Sequence, residues 1–234
     1  MASADPALAH VVIAMDGTAG AGKSTTSRGV AQELGLRYLD TGAMYRAVTW
    51  EMLRSSTPVT DPSAVAARAA TLSLDSGTDA KAPTIALDGV DVSREIRTDA
   101  VTAAVSQVSA VPAVRTLMVA RQRRQIGDGG IVVEGRDIGT VVAPGADLKV
   151  YLTADPAARA QRRMAELTSL HNRDPVFIEA DLARRDTADS SREVSPLAVA
   201  DDAVTVDSTY LSLDDVIAAI VELARERVAV RRGG

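Results

Sequence analysis

Gly17-Thr18-Ala19-Gly20-Ala21-Gly22-Lys23-Ser24 decides how this chain folds. Its spacing is G-x-x-x-x-G-K-[ST], the pattern of a phosphate-binding P-loop. The flanks agree with the letters. Val11-Val12-Ile13-Ala14-Met15 is a short apolar run that suits a buried strand. Thr25 to Leu34 reads as a helix, with Gly35 placed to stop it. Glycines let successive backbone N–H groups curl into an anion-binding nest. The helix N-terminus adds partial positive charge and unpaired donors. Lys23 is placed to reach the β- and γ-phosphates of a nucleoside triphosphate, and Ser24 to ligate Mg²⁺. The donor site read from the motif is Gly17, Thr18, Ala19, Gly20, Ala21, Gly22, Lys23, Ser24 and Thr25.

Working outward, Leu36-Arg37-Tyr38-Leu39 reads as a second strand, and Asp40 or Thr41 caps a helix over about 43–54. Another helix starts near Asp61-Pro62. From Leu72 the period changes to 2. Leu72-Ser73-Leu74, Thr84-Ile85-Ala86-Leu87 and Val90-Asp91-Val92, with the turn signal Asp88-Gly89, read as a small antiparallel sheet. The stretch 76–83 between them reads as a flexible tip. Helices resume at about 99–109 and 112–126. Ile131-Val132-Val133, 148–152 and 203–206 read as strands, and helices are predicted at about 156–167, 176–188 and 213–229, the last capped by Ser212. Residues 1–10 read as a loose N-terminus. Short apolar strands alternating with helices imply a parallel sheet covered on both faces.

Composition narrows the function. With 234 residues, 46% of them apolar, the chain can bury one sizeable core. There is no cysteine, which excludes disulfides and thiolate metal sites. No basic, apolar leader and no run of about 18 apolar residues is present, so a soluble, cytoplasmic protein without a membrane partner is expected. A net charge of −5 argues against a general affinity for nucleic acid. Only Lys23, Lys81 and Lys149 among the 26 basic residues are lysines, so arginine position rather than abundance is informative. His10 and His171 are isolated and read as surface residues, Trp50 as packing, and Arg121, Arg123 and Arg124 as a solvated helix face. The guanine-reading Asn-Lys-x-Asp of GTPases and the Leu-Ser-Gly-Gly-Gln signature of ABC transporters are absent.

Asp40-Thr41-Gly42-Ala43-Met44-Tyr45-Arg46 and Gly135-Arg136-Asp137-Ile138-Gly139-Thr140-Val141-Val142 resemble segments of bacterial cytidylate kinases. So do the small sheet before Arg94-Glu95-Ile96-Arg97, Ser106-Gln107, Arg115, and the stretch carrying Arg185, Asp189 and Arg192. The likeness spans about 11–225. It implies an α/β P-loop fold in three layers, with a five-stranded parallel sheet ordered 2-3-1-4-5, an inserted antiparallel module and a helical lid. Residues 11–62 and 99–225 would form the core, 63–98 the acceptor-binding module and 159–190 the lid. The implied reaction is phosphoryl transfer from ATP, with Mg²⁺, to CMP and dCMP by a monomer.

The resemblance also implies roles. Arg46, Arg136 and Arg192 would hold the acceptor phosphate. Ser106, Arg115 and Asp137 would read the base, and Arg185 and Asp189 the sugar. Thr41 and Tyr45 would line the acceptor site, although Tyr45 reads equally as core. Arg159, Arg162 and Arg163 share helix faces by i,i+3 or i,i+4 spacing. They would close over the triphosphate, with Arg162 and Arg163 catalytic together with Lys23 and Arg136. Asp137 as a loop cap and Asp189 as an exposed carboxylate stay open alternatives. Arginine suits such work because its planar fork binds phosphate through two bonds and stays charged. Rival readings are another small P-loop kinase, such as thymidylate or shikimate kinase, and a nucleotide-dependent switch ATPase.

Overall fold

The computed structural model describes residues 8–166 and 175–233. Strand β1 (Val12–Gly17) runs into the glycine-rich loop and helix α1 (Lys23–Leu34), followed by β2 (Arg37–Asp40), α2 (Thr41–Arg54) and α3 (Pro62–Ala70). Three short strands come next, β3 (Leu74–Ser76), β4 (Ile85–Leu87) and β5 (Val90–Asp91). Then come α4 (Asp99–Ala110), α5 (Pro112–Ile126), β6 (Ile131–Glu134), β7 (Leu148–Thr153), α6 (Pro156–Glu166), α7 (Pro175–Ser190), β8 (Val204–Asp207) and α8 (Leu213–Gly233). The large sheet is parallel, with order β2-β6-β1-β7-β8. Counted within that sheet alone, the order is 2-3-1-4-5, as expected.

Strand alternation builds both faces. Ile13, Met15 and Val132 pack with Val30, Ala31 and Leu34 of α1 and Val216 and Ile220 of α8. Their neighbours Ala14, Ile131 and Val133 point the other way, to Met44, Val48 and Met52 of α2 and Val114 and Met118 of α5. A one-residue slip would exchange the two sets, so the register is strongly specified. Helix ends follow local chemistry. Gly35 closes α1 at φ 67°. Asp40 caps α2 by accepting from the Ala43 amide at 2.8 Å. Ser212 and Asp215 cap α8 reciprocally.

The small sheet pairs antiparallel in the order β3-β4-β5, turning at Asp88 and Gly89 with φ 50° and 81°. Its Ile85 and Leu87 join the same apolar cluster as Leu39 and Ala14, so it shares the main core.

The stretch 76–83 is not a free tip. The Tyr38 amide donates to the Thr78 carbonyl at 2.9 Å, Arg28 and Gln32 both donate to the Ala80 carbonyl, and Ala80 is buried beside Tyr38. The segment covers the outer edge of β2 and so satisfies backbone groups that an edge strand would otherwise expose. Two other readings also change. Arg121 donates to the Leu72 carbonyl and Arg123 to Val141 and Val142, so these two staple loops to α5 while Arg124 is exposed. Leu8 is buried in the core, contrary to the reading of residues 1–10 as loose. Residues 1–7, His171 and most of the predicted break at 168–175 lie outside the described residues. Trp50 packs against the core and His10 is exposed, as expected.

Glu51 is a buried carboxylate held by Arg54 at 2.7 Å and Arg68 at 2.5 Å. Burial opposes its ionisation, but the hydrogen bonds from the two arginines outweigh that and hold its pKa below the ordinary value. Because the folded pKa is depressed, the stabilisation is complete above the unfolded value of 4.5 and is lost as pH falls through the folded one. Glu51→Gln should cost about 2 kcal/mol at neutral pH and flatten the acid limb of the stability curve. Urea melts at pH 7 and pH 3.5 check this. An unchanged difference between the two pH values would remove Glu51 as the cause.

Candidate active site

The glycine-rich loop sits at the carboxyl end of β1, between the ends of β6 and β7, where ligands bind in open parallel sheets. Gly17 is required by close approach. It has φ +145°, and a Cβ there would lie 1.9 Å from the Leu152 carbonyl of β7. The loop opens onto a cleft of about 340 Å³. The loop contributes Ala19, Gly20, Gly22, Lys23, Ser24 and Thr25 to the cleft walls. Gly17, Thr18 and Ala21 shape the loop from behind and do not line the cleft.

Lys23 is buried and donates from Nζ to the Thr18 carbonyl at 2.7 Å. Burial, and next the Arg136 charge, push its pKa down. Glu134, at the end of β6, is pushed up by burial and by Asp40. Ser24 Oγ and the Tyr38 hydroxyl both donate to Glu134 Oε1, at 2.7 and 2.9 Å, and the buried Oε2 has no partner. Among the described residues no group of three or more His, Asp or Glu side chains gathers as a metal site. The oxygen donors here, the Ser24 hydroxyl and the unsatisfied Glu134 Oε2, suit a hard cation that takes most of its remaining ligands from phosphate and water.

The residues that the resemblance assigns to the acceptor, Thr41, Tyr45, Arg46, Ser106, Arg115, Arg136, Asp137, Arg185, Asp189 and Arg192, all line the same cleft. Arg136 donates from Nε to Asp189 Oδ2 at 2.8 Å and from Nη1 to the Gly17 carbonyl at 3.0 Å. Asp189 also pairs with Arg192 at 2.8 Å. It is therefore a buried partner of two guanidinium groups, not an exposed helix-end carboxylate. Arg46 is aimed by Thr102 Oγ1 at 2.9 Å, and burial, then Arg185, lower its pKa to about 10. Burial and Arg136 likewise lower Arg185. These guanidinium groups repel one another, and an anion among them relieves that repulsion.

Deeper in the cleft, Arg115 and Asp137 form a buried ion pair, with Arg115 also donating to the Ser109 carbonyl at 3.3 Å. The Arg115 guanidinium lies 5.3 Å from the Tyr45 ring, whose buried hydroxyl has no partner and whose pKa is raised by burial to about 12. Tyr45 thus packs in the core and faces the cleft at once. Asp137 does not cap the helical turn 138–142 with its side chain. That turn is instead held by Asp16, which accepts from the Ile138 and Gly139 amides at 2.8 and 2.7 Å.

The three arginines of α6 part company. Arg163 lines the cleft. Arg159 is bonded to the Ala19 carbonyl and Asp186, and Arg162 to Ser208 and the Ala21 carbonyl. Both therefore brace the loop from behind in this structure. No motif in the sequence singles out Glu134, which lines the cleft, or Asp16 and Asp186, which brace its walls from outside. Glu134 sits one residue before Gly135-Arg136-Asp137, so a carboxylate ending the neighbouring strand was the available signal.

A glycine-rich loop opening a helix and a set of guanidinium groups line one cleft at the end of a 2-3-1-4-5 parallel sheet, the arrangement of a small P-loop kinase. The sequence matches the cytidylate kinase family over residues 13–226. It is 53% identical over 223 residues to the cytidylate kinase of Streptomyces avermitilis, covering 94% of this chain and 95% of that one. It is 55% identical over 219 residues to that of Rhodococcus jostii, covering 93% and 96%. The chain belongs to the cytidylate kinase family. A solved structure of an uncharacterized protein from Eubacterium ventriosum superimposes with a TM-score of 0.50 at 10% identity, over 93% of this chain and 99% of that one, a likeness of fold alone.

Proposed function

We infer that the chain transfers the γ-phosphoryl group of ATP to CMP and dCMP, giving ADP and the cytidine diphosphates. The observation that carries this reading beyond family membership is the convergence of Arg46, Arg136, Arg185 and Arg192 on a cleft that Lys23 and Ser24 enter from the other side. Phosphoryl transfer needs little covalent help from the protein. Positioning and charge stabilisation supply most of the catalysis. The loop amides and Lys23 hold the donor phosphates, the acceptor arginines hold the attacking phosphate, and Arg163 neutralises charge between them. The attacking oxygen is already ionised, so no general base is needed. Ser24, with Glu134 behind it, would hold Mg²⁺, which would supply charge neutralisation at the donor phosphates.

Asp137 accepts the cytosine amino group in this reading, whereas uracil would set a carbonyl against the carboxylate. Asp137→Ala should lower the ratio of kcat/KM for CMP over UMP by about 10²-fold or more, with a smaller change in KM for ATP. An unchanged ratio would move base recognition elsewhere. Residues 63–98 act as the acceptor module and 159–190 as the lid. Arg159 and Arg162 act on the donor side from their present places behind the loop. A monomeric, cytoplasmic enzyme completes the reading, which family membership supports.

ADP release coupled to a reporter, with CMP, dCMP, UMP, dTMP and shikimate offered in turn, tests the assignment. Rapid turnover with CMP and dCMP is expected. Faster turnover with another acceptor, or ATP hydrolysis indifferent to every acceptor, would favour the rival kinase or the switch ATPase.

A further inference from the structure

Helix α7 touches both halves of the cleft with one face. Ile178 and Leu182 pack on the Ala19 side chain. One turn on, Asp186 Oδ1 accepts from the Ala19 amide at 2.7 Å and Oδ2 from Arg159 Nη1 at 2.5 Å, while the same Nη1 donates to the Ala19 carbonyl at 2.9 Å. The crest of the phosphate loop is thus gripped on both its backbone groups. The fit leaves no slack, since a Cβ on Gly20 would lie 3.2 Å from Leu182 and 3.3 Å from Arg159. Three residues beyond Asp186, Asp189 holds Arg136 and Arg192, and Arg136 returns to the loop at the Gly17 carbonyl. The helix therefore carries a carboxylate for the donor loop and another for the acceptor arginines. Spacing of i,i+3 puts the two on one face.

We propose that Asp186 is a positioning residue that ties the donor loop to the acceptor arginines through α7, so that either nucleotide strengthens binding of the other. The sign follows from charge. Arg185 of α7 lines the cleft with Arg46, Arg136 and Arg163, and these like charges resist a close seat for the helix. The acceptor phosphate neutralises them and stabilises α7 in the seat it already occupies. Asp186 and Arg159 then hold the Ala19 peptide more firmly, and the loop binds the donor with less ordering left to do. Linkage makes the effect reciprocal.

This inference rests on the reading of the cleft as a CMP and ATP site, and calorimetry separates the two. Titrate CMP and a non-hydrolysable ATP analogue into the full chain, each alone and each in the presence of the other. The wild-type protein should bind the analogue about fivefold or more tightly when CMP is present. Asp186→Ala should bring that ratio close to one while the Kd for CMP alone stays within about twofold. Asp186→Asn keeps an oxygen for the Ala19 amide but loses the charge that holds Arg159, and it should also lower the ratio. A merely structural role would lower the melting temperature without touching the ratio. An undiminished ratio in folded variants that still bind CMP would overturn the tether and leave the assigned reaction standing. Failure of the wild-type protein to bind CMP at all would overturn the underlying reading, and the tether with it.

Discussion

Replacing Lys23 by alanine is expected to lower kcat by about 10³-fold or more, with little change in melting temperature. Removing a single preorganised donor costs about that much where charge develops in a water-poor site, and Lys23 is the only lysine lining the cleft among the described residues. The small effect on stability follows from its surroundings. The ammonium group is buried, faces the like charge of Arg136, and is disfavoured until a triphosphate arrives. Deleting it removes a desolvation cost together with the hydrogen bond to Thr18. Single-turnover rates with saturating ATP and CMP measure the first effect and thermal melts the second. Turnover within about tenfold of wild type would contradict the role given to Lys23.

Arg136→Ala should cut kcat/KM for CMP by about 10³-fold, the second large effect. This guanidinium joins three things at once: the first loop residue through the Gly17 carbonyl, helix α7 through Asp189, and the wall of the cleft. Arg136→Lys should rescue little, because a compact ammonium cannot reproduce the planar fork that reaches Asp189 and Gly17 together. The loss should fall mainly on CMP, with the KM for ATP moving less. A lysine variant with near-normal kinetics would show that charge alone suffices there.

Much of the fold is legible because its signals are local. The P-loop spacing, the period-2 strands, the stop at Gly35 and the turn at Asp88-Gly89 each act within a few residues, and the structure keeps all of them. What escapes is decided by partners far along the chain. Arg28 and Gln32 pin Ala80, about 50 residues away, so a polar stretch that looks like a loop tip becomes the cover of a sheet edge. The same applies to the arginines. Nothing local distinguishes Arg163, which lines the cleft, from Arg159 and Arg162, which grip loop carbonyls, or Arg121 from Arg124. The residues that only the resemblance assigns to the acceptor all line a single cleft in the structure. Asp186 was missed because its partner is the backbone of Ala19, 167 positions away.

In the proposed reaction a triphosphate and a monophosphate meet end to end between the glycine-rich loop and the arginines of the cleft. The most direct test is the affinity of a bisubstrate compound in which adenosine and cytidine are joined through five phosphates, measured by titration calorimetry. If both walls belong to one site, joining the halves makes the second contact intramolecular, and the compound should bind at least about 10²-fold more tightly than ATP or CMP alone. Binding no tighter than ATP, with CMP still able to bind alongside it, would mean that the two walls do not share one reaction.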